Sequence, residues 1–209
     1  MTKRQEAQAG AVDAYSNMTG GPAGSVTPTV ASSFMQVLLD KSAMLDEIPE
    51  GAGIVDYNDA TTSVTPIALT TNTWTTITND GAGAFTNTAY LPEGVTSLMD
   101  TATGEFDFSQ LSLGDNAFVR NDFTVTPNTN NALLSLRYQL GASGASYTLE
   151  TIIGRLDSGS GQPYRFSLTP QMIYMGDTNT KDNPVKLQIK LSSNGSVVNA
   201  GSSIGIVRR

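Results

Sequence analysis

Asp100–Leu140 reads DTATGEFDFSQLSLGDNAFVRNDFTVTPNTNNALLSLRYQL, and this stretch decides the fold class. Phe106 and Phe108 flank Asp107. Phe123 and Val125 alternate with Thr124 and Thr126, and Leu134, Leu136, Tyr138 and Leu140 alternate with Ser135, Arg137 and Gln139. A period of two sends successive side chains to opposite faces, so each run predicts a half-buried β-strand. Gly114-Asp115-Asn116 and Pro127–Asn131 lie between the runs and are turn formers.

The same pattern extends in both directions. Upstream, Ile67 and Leu69 alternate, Trp74–Ile77 continue the pattern, and Ala84–Tyr90 reads as a further strand after the turn cluster Asn79–Gly83. Downstream, strands are expected over Tyr147–Ile153, Tyr164–Leu168, Met172–Met175, Val185–Ser192 and Ile204–Val207. Asn194-Gly195 is a hairpin signal, because both residues tolerate the positive φ of a tight turn. It predicts that Lys186–Ser192 pairs with Ser196–Asn199. Roughly eight to ten short strands divided by turns predict an all-β antiparallel sandwich or barrel.

The first residues differ in kind. Met1–Ala31 is polar and small, and Gly20–Gly24 breaks regular structure. In Ser33–Ile48, the residues Phe34, Val37, Leu38, Leu45 and Ile48 fall near helical spacing, with Ser32 or Ser33 as an N-cap and Pro49 as a stop. A short helix is favoured; a strand through Phe34–Leu39 is the alternative. The expected organisation is an N-terminal arm and anchoring segment over 1–60 and a β-domain over 61–209. Phe34, Val37, Leu38 and Leu45 are the candidate partner-binding residues, since either structure leaves that apolar side to be covered.

Composition removes whole classes of chemistry. The 209 residues include no His and no Cys. Ser-His-Asp and Cys-His nucleophiles are therefore excluded, ordinary zinc sites lack their ligands, and no disulfide is possible. Residues 1–100 carry three basic and eleven acidic side chains, and residues 101–209 carry nine and eight. An acidic chain without a basic stripe is a poor nucleic-acid binder. No apolar run is long enough to span a membrane, and MTKRQEAQAG at the start is no secretory signal.

Residual candidates for chemistry are sparse. Glu93, Glu105, Asp107, Asp122 and Glu150 are the carboxylates available for a glycosidase-type pair, but no spacing singles out two of them. Asp177, Asn179, Asp182 and Asn183 form an oxygen-rich loop without the EF-hand spacing and with Lys181 inside it. Asn17-Met18-Thr19 and Asn194-Gly195-Ser196 match the glycosylation pattern, as expected by chance in so Asn- and Thr-rich a chain. No enzyme, metal or cofactor is expected.

Leu98–Phe108 followed by Leu113-Gly114-Asp115 resembles the D-x-x-T-G-x-F strand and glycine turn of the tumour-necrosis-factor-like and complement-globular-head-like jelly rolls. Trp74–Gly83 resembles segments of bacteriophage virion proteins with this fold, namely capsid decoration (cement) proteins and fibre heads. The similarity covers about residues 65–209. It departs from the pattern after the turn, where Asp115-Asn116 stand in place of the usual aromatic residue and Phe118 comes later. The resemblance implies a jelly-roll sandwich, a homotrimer with Tyr138 and Tyr147 as interface candidates, and a structural role in the virion, assembled in the host cytoplasm. The expected partner is a major capsid protein clasped by the N-terminal region. The alternative is a tail-fibre head held by tail proteins, with a host surface glycan at loops 157–163 and 176–183 beside Tyr164 and Tyr174.

Overall fold

A computed structural model describes residues 52–209. The compact unit spans Gly51–Arg209. Phe34, Val37, Leu38 and Leu45 lie outside the described residues.

Among the described residues, twelve strands form two main antiparallel sheets and a small ribbon. The front sheet holds β1 (Gly53–Asn58), β12 (Gly195–Val207) and β6 (Asn116–Pro127) in that order. Two short strands, β9 (Tyr164–Ser167) and β10 (Gln171–Tyr174), share the far side of β6, and β2 (Ile67–Leu69) joins β12 beyond β1. The back sheet runs β3 (Thr75–Thr76), β11 (Lys186–Leu191), β7 (Ala132–Leu140), β8 (Tyr147–Leu156). Successive strands repeatedly change sheets, from β2 to β3, β6 to β7, β8 to β9, β10 to β11 and β11 to β12, which is the wiring of a jelly roll. Two four-residue helices, α1 (Thr61–Val64) and α2 (Thr178–Lys181), fill connections.

The alternation in Asp100–Leu140 builds the core as the sequence predicts. In β6, Ala117, Val119, Phe123 and Val125 point inward; in β7, Leu134, Leu136, Tyr138 and Leu140 do. Each fully buried Leu or Phe contributes about 1.5–3 kcal/mol of transfer free energy. One polar group sits among them. Asn121 of β6 donates to the Tyr138 hydroxyl across the sandwich, and its Oδ1 accepts from Ser202 Oγ at 2.7 Å. This network satisfies the buried amide and ties front sheet to back.

The segment carrying the family resemblance is structural. β4 (Met99–Asp100) and β5 (Glu105–Phe106) form the ribbon, and Phe106 bridges Val185 at the start of β11. The Asp100 carboxylate accepts from Ala102 N–H and Thr103 Oγ1 and so shapes the turn. Gly104 has φ +76°, and a Cβ there would lie 2.3 Å from Asn79 N, so only glycine fits. Phe106 stacks on Phe108 at 6.2 Å, and both rings are buried.

Several expectations are corrected. Asn194-Gly195 does not close a hairpin: β11 pairs with β3 and β7, while β12 pairs with β1, β2 and β6. Neither residue has positive φ. Gly195 is needed for space instead, since a Cβ would meet Thr126 O at 2.6 Å. Gly53–Asn58, placed by sequence in the N-terminal segment, is a strand paired along β12. Ile204–Val207 is the end of a thirteen-residue strand bent by a bulge at Ala200. The 84–90 segment makes one bridge, Asp56↔Asn87, rather than a strand. It still covers the outer edge of β1, through Gly83 N–H to Asn58 O at 2.8 Å and Ile54 N–H to Tyr90 O at 3.2 Å.

Candidate interaction surface

The two outer faces of the sandwich differ sharply. Register places Ile54, Gly205, Phe118 and Met172 in one row across β1, β12, β6 and β10, all pointing outward. The next row brings Val207, Asn116 and Tyr174 together. Ile54 is 56% exposed, Met172 51%, Tyr174 53%, Val207 48% and Phe118 37%. An antiparallel face bathed in water normally alternates to polar residues, so this apolar cluster is the candidate interaction surface. Its polar rim includes Asp56 and Arg120, the latter paired with Asp122 at 3.0 Å.

The back sheet presents polar groups. Thr76, Gln188, Arg137 and Glu150 form one transverse row. Arg137 Nε donates to Gln188 Oε1 at 2.8 Å, and Gln188 Nε2 donates to Thr76 Oγ1 at 3.2 Å. Trp74 lies alongside, with Arg137 Cζ and Lys190 Nζ each 4.3 Å from its ring centroid. Lys190 also meets Glu150 at 3.7 Å, and Lys186 meets Glu105 at 3.3 Å. The indole is thus engaged by its own cations.

β8 ends the back sheet and overhangs. Thr151 stands opposite buried Leu136 yet is exposed, and Ile152 is exposed on the outer side. Tyr147, at the start of β8, is half-exposed and its hydroxyl meets Thr180 Oγ1 at 2.7 Å. Tyr138, the other interface candidate, is buried in the protomer core and offers no surface to a second subunit. Burial there pushes its phenol pKa well above the ordinary range.

The loop candidates are occupied by local structure. The Asp177 carboxylate caps α2, accepting from Thr180 N–H at 2.7 Å and Thr180 Oγ1 at 2.8 Å. These bonds favour the ionised form and lower its pKa. Asn179 Oδ1 accepts from Ala142 N–H, and Lys181 reaches Ser109 O and Asp182. Among the described residues no cluster of three or more acidic groups is placed to hold a metal ion. The Tyr164 hydroxyl accepts from Ser158 N–H inside its own loop, while Tyr174 stands on the front face. Of the carboxylates weighed for catalysis, Glu105, Glu150 and Asp122 are in ion pairs and the Asp107 carboxylate accepts from Ser109 N–H.

Ile54, Phe118, Met172 and Val207 escaped the sequence reading. The local signal was the run Ala117-Phe118-Val119, where an apolar residue stands at an outward position of an otherwise alternating strand.

No family model matches the chain, and no curated protein does. Some solved structures are similar. A crystal structure of the infectious bursal disease virus particle shares 13% identity at TM-score 0.37, covering 75% of this chain and 31% of that one. The Gt strain of the same virus gives 11% and 0.38, covering 75% and 32%. The PRD1 vertex protein P5 gives 15% and 0.33, covering 75% and 95%. The chain thus spans about a third of the length of the bursal disease virus chains. Similarity at this level assigns no role to any residue.

Proposed function

We propose that this chain is a non-enzymatic structural protein of a virion, a homotrimeric capsid decoration (cement) protein. The apolar outer face of the front sheet carries this reading: it is a docking surface without catalytic groups. Its counterpart in a second copy is the Tyr147 end of the β8 overhang, which lies on a different part of the sandwich. A contact between two unlike surfaces is heterologous, and a heterologous contact that closes makes a ring. Phe118 and Met172 of one protomer would receive the overhang of the next. The three N-terminal segments, with Phe34, Val37, Leu38 and Leu45, then engage the major capsid protein, and avidity multiplies three weak contacts.

The fibre-head alternative has less support, because Tyr164 is tied into its own loop and provides no free platform for a host glycan. Light scattering on the purified chain should return three times 22.0 kDa; a clean monomer sinks the trimer. Removing residues 1–50 should leave that trimer intact and abolish binding to capsid shells. Full binding by the truncated form would refute the anchoring role.

A further inference from the structure

The most exposed large apolar side chains among the described residues are not on either sheet face. Val64 is 84% exposed and Phe85 is 83% exposed. Val64 ends α1, and Phe85 stands in the segment that covers the edge of β1.

Two carboxylates lock these limbs together. Buried Asp59 accepts at Oδ2 from Thr62 N–H at 2.7 Å and Thr62 Oγ1 at 2.5 Å, and at Oδ1 from Asp80 N–H at 3.0 Å. Asp80 accepts at Oδ1 from Ala60 N–H and Ala82 N–H, both at 2.9 Å. Its Oδ2 accepts from Thr61 N–H at 3.0 Å and Thr61 Oγ1 at 2.6 Å. On the other limb, Thr86 Oγ1 accepts from Asn58 N–H at 2.9 Å, and a Cβ on Gly83 would stand 2.6 Å from Asn58 Cβ. Two apolar side chains are thereby displayed on backbone that is already ordered, so docking them costs little conformational entropy.

Charge narrows the partner. No Lys or Arg occurs in the sequence between Lys41 and Arg120, and the segments that build the tip carry the acids Asp56, Asp59 and Asp80. An anionic bilayer would repel it. We propose that the tip formed by α1 and the Phe85 segment is a second docking element of this chain, inserting Val64 and Phe85 into an apolar pocket on a protein surface rimmed by Lys or Arg. Complementary charge would speed the encounter and make it salt-sensitive, while the two anchors set the dissociation rate. Placing that pocket on the particle shell rests on the virion reading.

The test uses the full-length chain, a double variant carrying Val64→Ser and Phe85→Ser, and a Leu113→Ser control from another exposed site. Probes are particle shells assembled without the protein and vesicles of phosphatidylcholine with and without phosphatidylglycerol. The double variant should keep the wild-type mass and circular dichroism and lose roughly tenfold or more in shell affinity, as expected for two anchor residues. The control should bind normally, added salt should weaken the wild type, and vesicles should bind neither. Equal shell binding by the double variant overturns the proposal. So does a change in its oligomeric mass, which would make the tip a subunit contact, or vesicle binding that depends on Phe85. Shells that fail to bind even the wild-type chain would refute the virion reading itself, and the pocket with it.

Discussion

The front and back sheets share one core and present opposite outer faces. On the front, Ile54, Phe118, Met172 and Val207 put hydrocarbon into solvent. On the back, Arg137, Gln188, Lys190 and Glu150 satisfy one another, and Trp74 is held by two cations. The core therefore leaves the choice of outer face open. A strand need only alternate; whether its other parity is polar or apolar depends on what lies outside it. The back face pairs its polar groups with one another, whereas the front face leaves apolar side chains exposed.

The largest expected effect comes from charging the front face. Phe118→Asp should dissociate the assembly, raising the association midpoint at least thirtyfold, on the order of a 2 kcal/mol hot spot. Gln139→Asp on the back sheet should change nothing. Light scattering over a dilution series reads both, and equal effects from the two variants would erase the contrast.

Next is the bond that joins the sheets. Tyr138→Phe strands the buried Asn121 amide and should cost about 1–3 kcal/mol in urea unfolding. Adding Asn121→Leu removes the stranded amide and should recover part of that loss, with the Ser202 hydroxyl, which donated to Asn121 Oδ1, setting the remainder. If the double variant is as unstable as the sum of the singles, the network is not a pair. Trp74→Ala on the back face should cost about 1 kcal/mol through two partly exposed cation–π contacts, with oligomeric mass unchanged. Loss of trimer in this variant would mean that the back face also mediates assembly.

The smallest effect is a titration. The Thr61 hydroxyl and the N–H groups of Ala82, Ala60 and Thr61 hold Asp80 well below the ordinary carboxylate value of 3.8. A group whose folded pKa is depressed contributes stability above its unfolded pKa and loses it as pH falls toward the folded value. Thermal midpoints of wild type and Asp80→Asn should therefore differ most near neutrality and converge below about pH 4. A constant gap across that range would show that the carboxylate charge contributes nothing.

Alternation made the sandwich legible. Asp100–Leu140 announced β5, β6 and β7 because every second residue is apolar there. The pairing was less legible. Asn194-Gly195 suggested a hairpin, but turn chemistry is local, whereas the choice of sheet depends on residues far along the chain, such as Leu69 and Pro127 beside Gly195. Tyr138 could not be told from a surface tyrosine, since its partner Asn121 belongs to the other sheet. The front face was missed because Ile54, Phe118, Met172 and Val207 come from four strands and only register gathers them.

The central position of β12 has a consequence for synthesis. Its thirteen residues fill the gap between β1 and β6 and end at Val207, while β1 begins at Gly53. The front sheet is split until that late segment leaves the ribosome. At about 5–20 residues per second, β1 waits on the order of ten seconds for its neighbour. Throughout that interval the inner faces of β1 and β6 are uncovered and two strand edges are open, which makes the nascent chain a client for chaperones and gives slow, late folding.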